Sequence, residues 1–241
     1  MPSLHIIFDS GIVVPNGKVF FMDREIKIVS GGKRYMNVAS MFVKQDDEAL
    51  YRDCRCTIET FFSSLAWEES TEIWESHEVI WGSGSPTRKF KQRTEVLCRI
   101  GILGLSYYGL FEPRNDLQRE ALALYRQAQN SGRKNPIYNF LSLYKIFELE
   151  GQNNPEKRIS AHLGQLRYQD SLLSKWENEN PGINFAGRCR EYRHGIAHAR
   201  GRKRLINPDC YPYWKELNQL RYILRDVAEE YMKKGIGISR S

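Results

Sequence analysis

The sequence predicts an α+β N-terminal domain followed by an all-α antiparallel helical bundle. Near the N-terminus, short apolar stretches alternate with turn residues, which is typical of strands joined by hairpins. From about residue 105 onward, apolar residues recur at every third or fourth position, as in helices that each bury one face. The chain has 241 residues, enough for one large domain or two small ones. We therefore expect an α+β domain over 1–105 and a helical bundle over 106–241.

Strands are predicted over 4–8, 18–22, 25–29 and 35–43. Turn signals such as Pro15-Asn16-Gly17 separate them. After Asp46 the apolar spacing changes to three and four, which predicts a helix over 47–67 that covers one face of the sheet. Two further strands, over 71–81 and 89–100, are expected on either side of a loop rich in Gly, Ser and Pro.

Five helices are predicted in the second half, and start signals mark each of them. The signals are Asn115, Asn135-Pro136, Asn154-Pro155, Asn184 and Pro208-Asp209. In the first helix the inward positions should be Leu117, Ala121, Leu124, Tyr125 and Ala128. The second should continue as far as Gly151, and the third should reach Trp176. Helices in succession with short connections predict an antiparallel bundle.

Composition excludes several classes of protein. No apolar run approaches the roughly 20 residues that span a bilayer, and no secretory signal pattern is present, so we expect a cytoplasmic protein without membrane contact. The five cysteines include no CxxC pair, which argues against a disulfide framework and a zinc site. The formal net charge of +7 favours a polyanionic partner such as RNA.

The most informative stretch is Arg193-His194-Gly195-Ile196-Ala197-His198. It belongs to a predicted helix whose apolar positions are Phe185, Cys189, Tyr192, Ile196 and Ala199. At about 100° per residue, Arg193 and both histidines point away from that apolar face. Arg193 and His198 are themselves about 140° apart on an ideal helix. A distorted turn at Gly195, or a second chain, would be needed to bring them together.

Basic residues flank this stretch. They are Arg190, Arg200, Arg202, Lys203 and Arg204. Such a run is often only a solvated helix end, but its place beside two histidines also fits contacts with RNA phosphates. We treat these five residues as candidate RNA-binding residues.

The stretch resembles the motif of the HEPN superfamily, which is an arginine, a polar residue, three further residues and a histidine. Those proteins are helical bundles, and many are metal-independent endoribonucleases of toxin and antiviral systems. Together with residues 139–150, the stretch looks most like the branch of MauJ-type proteins, over roughly 114–233. The resemblance implies that Arg193 and His198 are the catalytic pair, with His194 in the polar position. It also implies a homodimer in which two copies of the motif meet.

The implied chemistry suits these side chains. RNA supplies its own nucleophile, the 2′-hydroxyl, so neither a metal nor a cofactor is expected. Histidine, with an ordinary pKa of about 6.5, can accept and return a proton near neutral pH. Arginine stays charged and can bind two phosphate oxygens at once.

Other readings of the same residues stay open. Arg193 could pair with an acid such as Glu148 or Glu191 while His198 bonds a carbonyl, which would leave a non-catalytic bundle that binds RNA or a protein. The sequence does not identify the inhibitory or regulatory partner protein that could restrain such an activity. A metal site at His194 and His198 is disfavoured, because Gly195 stands where the HExxH pattern has glutamate. Neither a Walker loop nor a GxSxG elbow is present.

Overall fold

A computed structural model describes ten stretches of the chain, which are 3–10, 16–30, 37–42, 48–70, 73–82, 110–132, 135–151, 154–166, 171–197 and 211–240. The chain forms two compact units. The first comprises Met1–Glu112 with Arg240–Ser241, and the second comprises Pro113–Ser239. The strand predicted over 89–100 and the helix start predicted at Pro208-Asp209 lie outside the described residues.

The first unit contains a five-stranded sheet. Its strands are β1 (Ser3–Ser10), β2 (Gly17–Phe21), β3 (Arg24–Val29), β4 (Asn37–Phe42) and β5 (Ile73–Gly82). The strand order is β2-β3-β4-β1-β5, and each neighbouring pair is antiparallel. Met22 and Asp23, which join β2 to β3, both have positive φ angles, of 50° and 60°. This backbone matches the right-handed twist of the flanking strands and makes a tight hairpin.

Helix α1 (Glu48–Glu69) covers one face of the sheet, as the apolar spacing predicts. Its inward side chains include Ile58, Phe61 and Phe62, which are fully buried. The Phe62 ring lies 4.5 Å from the ring of Phe8 in β1, and the Phe61 ring lies 5.7 Å from that of Phe21 in β2. Aromatic contacts therefore join the helix to an interior strand, β1, and to an edge strand, β2.

The second unit is helical. Its helices are α2 (Asp116–Ser131), α3 (Pro136–Ile146), α4 (Pro155–Leu166), α5 (Ser171–Glu179), α6 (Phe185–Ala197) and α7 (Tyr211–Lys234). Helix α7 packs against α3, α4 and α5, whereas α6 packs against α3 and α4. The predicted N-caps Asn115, Asn135 and Asn184 are confirmed, since each side-chain oxygen accepts a backbone N–H of the following first turn.

Two helix predictions were wrong in detail. Helix α3 ends at Ile146 and not near Gly151, because the next N–H groups bond back three residues and form turns over 147–150. In α2, Leu122 is buried and Leu124 only half-buried, so the buried face is rotated from the predicted one. The helix predicted to reach Trp176 is helical over both of its described segments, α4 and α5, and the residues between them, 167–170, lie outside the described residues.

The apolar seam of α7, which consists of Leu217, Leu220, Leu224 and Val227, is fully buried within the chain itself. From the sequence, this seam could equally have been shared between two chains. Its burial against the other helices of the second unit makes α7 the central helix of that unit. None of the described helices is both long enough and apolar enough to cross a bilayer.

We predict that Phe62→Ala lowers the free energy of unfolding of the first unit by about 3–5 kcal/mol, because it removes a buried ring and leaves a cavity. Phe20→Ala is the matched control, since Phe20 is 72% exposed and its loss should change stability by at most about 0.5 kcal/mol. Urea denaturation of both variants measures the difference. Equal losses would contradict the packing described for α1.

Candidate functional site

Helix α6 carries the predicted site, and its apolar side fixes it in the second unit. Phe185, Cys189 and Tyr192 are buried, as the helical spacing predicts. The Phe185 ring meets the Trp176 ring of α5 edge-on at 5.2 Å. The helix is regular through Gly195 and runs to Ala197. The described part of α6 therefore has no distorted turn at Gly195.

Arg188, near the start of α6, is paired with two carboxylates. Its Nε and Nη2 donate to the two oxygens of Glu216 in α7, at 2.7 and 2.8 Å. Its Nη1 donates to Glu191, one turn further along α6, at 2.8 Å. The two-pronged contact with Glu216 is the geometry in which arginine binds a carboxylate most strongly. Arg188 therefore links α6 to α7 through side-chain contacts.

Glu216 also accepts a hydrogen bond from Tyr192, whose hydroxyl donates to Oε2 at 2.6 Å. Burial alone would raise the pKa of the Glu216 carboxyl, but the bonds from Arg188 and Tyr192 outweigh it and lower that pKa. Burial and the bond to Glu216 raise the pKa of the Tyr192 hydroxyl, so it stays protonated as a donor. One carboxylate thus contacts two residues that are one helical turn apart.

Arg193 is half-buried and forms an ion pair with Glu148. Its Nε donates to Glu148 Oε1 at 3.0 Å, and the two side chains are only 25% and 22% exposed. Glu148 lies in the turn directly after α3. This pairing is one of the alternatives that the sequence left open, and it places the guanidinium against a carboxylate instead of in an open cleft.

The remaining predicted residues are only partly described. His194 is half-buried in the last turn of α6, where a cation would be favoured by the helix dipole. Arg190, a candidate RNA-binding residue, is exposed and donates to Glu156 of α4 at 2.7 Å. The other candidates, His198, Arg200, Arg202, Lys203 and Arg204, lie outside the described residues.

Sequence reasoning missed Glu216 and Glu156, which come from other helices. For Glu216 a weak signal existed, because an acid directly precedes the apolar seam of α7 and so lies beside a packed face. Nothing in the sequence pairs either residue with α6.

The described residues of the site offer neither a reactive thiolate nor a cluster of metal ligands. Burial raises the pKa of the Cys189 thiol well above its ordinary value, so it is not a reactive thiolate. Among the described residues, no group of three or more His, Cys, Asp or Glu side chains could hold a metal. What the site offers is a half-buried arginine of fixed orientation, with a histidine next to it in the chain.

We predict that Glu216→Gln lowers the free energy of unfolding by about 2 kcal/mol near neutral pH, because it removes the charge that binds Arg188 and Tyr192. Since the folded pKa of Glu216 lies below its ordinary value of 4.5, this contribution is present above that pH and is lost as the pH falls through the folded pKa. Denaturant titrations at about pH 7 and about pH 3 should therefore show a smaller difference from wild type at the lower pH.

The matched control is Glu191→Gln, because Glu191 also binds Arg188 but is 62% exposed. Its loss should cost at most about 0.5 kcal/mol. If both variants lose the same stability, Glu216 is no more important to the packing of α6 than a surface partner.

Comparison with known proteins bears on the second unit. Residues 121–233 match the model of a family described as Methylamine utilization protein MauJ, over just under half of the chain. The matched range includes Glu148, Arg193 and Glu216. A search of curated proteins and of solved structures found no match. The family match supports the resemblance of this helical unit to the MauJ-type proteins.

Proposed function

We propose that this protein is a metal-independent endoribonuclease of HEPN type that acts on RNA as a homodimer. The observation that carries the proposal is the half-buried Arg193, whose guanidinium is oriented by Glu148 at the end of the helix that bears the Arg–His motif. The match of 121–233 to the MauJ family covers the whole motif and supports the family resemblance from which the proposal starts.

The proposed roles follow from the chemistry of the side chains. Arg193 binds the phosphate that is attacked and stabilises the charge that builds up on it. His198 acts as general acid or base, taking the proton of the 2′-hydroxyl or giving one to the leaving 5′-oxygen. His194, in the polar position of the motif, contacts the phosphate that Arg193 binds. The products would carry 2′,3′-cyclic phosphate and 5′-hydroxyl ends.

Glu148 favours catalysis if it orients Arg193. An arginine side chain that a carboxylate already holds loses little further conformational freedom when it binds a phosphate. A charge placed in advance also stabilises the transition state without having to reorganise during the reaction. A guanidinium carries five N–H donors, and the contact with Glu148 is made through Nε.

A second copy of the chain is part of the proposal because of the helix geometry. Positions 193 and 198 are about 140° apart on an ideal helix, and the described part of α6 is helical through Gly195. A two-fold axis beside α6 would place the arginine of one copy near the histidine of the other. Each active groove would then contain residues from both subunits.

RNA is the substrate that the charges favour. The formal net charge is +7, and Arg190, Arg200, Arg202, Lys203 and Arg204 are proposed to bind the phosphate backbone. A toxin or antiviral setting, with an inhibitory partner protein, is the biological context that the resemblance suggests.

A second candidate function is a non-catalytic module that binds RNA or a protein. The observation that favours it is the pairing of each described arginine of α6 with a carboxylate: Arg188 with Glu216, Arg190 with Glu156 and Arg193 with Glu148. These pairs reduce the positive charge that α6 offers to a phosphate. If this function is correct, the ion pairs hold the helices together, and the basic residues after α6 contact the RNA or the partner protein.

We predict that the purified wild-type protein cleaves single-stranded RNA in the presence of EDTA and leaves 2′,3′-cyclic phosphate ends, detected by mass spectrometry. Arg193→Ala and His198→Ala should each reduce the rate by at least about 100-fold. Light scattering should show that both variants keep the oligomeric state of wild type. An unchanged oligomeric state would exclude loss of the dimer as the cause of the lower cleavage rate.

The binding-module reading predicts a different set of results. Wild type would bind labelled RNA in a gel-shift assay without cutting it, and replacement of Arg202, Lys203 and Arg204 by glutamine would weaken binding. A lack of cleavage across RNAs of varied sequence and structure would overturn the endoribonuclease proposal.

A further inference from the structure

The turn that carries Glu148 is bound by Arg158 of α4. Nη1 of Arg158 donates to the carbonyl oxygens of Phe147 at 2.7 Å and of Gly151 at 3.1 Å. Its Nη2 donates to the carbonyl oxygen of Glu150 at 3.1 Å, and its Nε lies 3.3 Å from the carboxylate of the same residue. The last carbonyls of a helix have no partner within the helix, and a cation there is favoured by the helix dipole. One guanidinium therefore supports the whole turn.

Tyr231 of α7 supports the same turn from another helix. Its ring stacks on Phe147 with centroids 5.1 Å apart and an interplanar angle of 17°. Its hydroxyl donates to Glu150 Oε2 at 2.7 Å. Because Arg158 and Tyr231 come from different helices, the turn after α3 is fixed by two neighbouring elements.

Glu148 has little backbone freedom within this turn. Its N–H donates to the carbonyl of Lys145 at 2.9 Å, and its own carbonyl accepts from the N–H of Gly151 at 3.2 Å. From this backbone its carboxylate reaches Nε of Arg193 at 3.0 Å. A continuous set of contacts thus runs from Arg158 through the turn to Arg193.

We propose that Arg158 is a positioning residue for Arg193, acting through the turn after α3 and the carboxylate of Glu148. The consequence for catalysis rests on the proposed function. Arg158 itself does not touch the RNA. It keeps the Glu148 carboxylate where it binds Nε of Arg193, and so sets the direction in which that guanidinium points. Small errors in the placement of a catalytic group are costly, since a displacement of about 1 Å can cost about 100-fold in rate.

The kinetic test uses Arg158→Met, which removes the charge and all the donors. We expect kcat for RNA cleavage to fall about 10-fold while KM stays within about twofold of wild type. In a Glu148→Gln background, the same substitution should lower kcat by less than about twofold more, because the route through Glu148 is already broken. Arg119→Met is the matched control, since Arg119 is a partly exposed arginine of α2 paired with Asp116, and it should leave kcat unchanged.

Two kinetic outcomes would overturn the proposal. One is an unchanged kcat in Arg158→Met. The other is the same full loss with and without Glu148, which would make Arg158 a general stabilising residue. Thermal unfolding checks that each variant is folded. If Arg158→Met does not fold, Tyr231→Phe replaces it, because this change removes only the hydroxyl bond to Glu150 and keeps the ring stack; it should lower kcat less, and again only when Glu148 is present.

A second readout does not depend on activity. In NMR spectra of ¹⁵N-labelled protein, the Nε–H signal of Arg193 should exchange slowly with water in wild type and rapidly in both Arg158→Met and Glu148→Gln. Slow exchange that persists in Arg158→Met but is lost in Glu148→Gln would overturn the positioning role. If wild type cuts no RNA, the proposed function fails, and this measurement alone decides whether Arg158 positions Arg193.

Discussion

The pairing of the α6 arginines with carboxylates outside α6 is the constraint on which the second unit depends. A partly buried guanidinium is costly unless a carboxylate and hydrogen bonds compensate for the water that it loses. Glu216 supplies this compensation from α7, and Glu148 supplies it from the turn after α3. Burial of the apolar face of α6 stabilises the helix but is not directional. These charged contacts, by contrast, are made only at one rotation of the helix about its axis.

That rotation matters because the same helix carries the candidate site. Arg188 and Tyr192 both bind Glu216, so the face of α6 toward α7 is set. Arg193 is then directed toward α3, where Glu148 meets it. The same ion pairs therefore hold α6 in place and orient the proposed catalytic arginine. A substitution that breaks one of them should affect both stability and activity.

Much of the fold could be predicted from local patterns. Alternation and turn residues located β1, β2 and β3, and spacings of three and four located α1. Caps such as Asn115 and Asn184 were identified because their bonds are made within one turn. The end of α3 was missed, because the turn that follows it is bound by Arg158 on the next helix. Glu216 was missed for the same reason, since its partners are far away in sequence. Patterns within one helix give its apolar face, but not the partner of a charge.

The central claim is that Arg193 and Glu148 are energetically coupled. The most direct measurement is a double-mutant cycle with Arg193→Met and Glu148→Gln, in which urea denaturation gives the unfolding free energies of wild type, both single variants and the double variant. A coupling energy of about 1 kcal/mol or more is expected for this partly buried pair. A coupling energy below about 0.3 kcal/mol would mean that the two residues are only neighbours, and the account of how α6 is oriented would then be wrong.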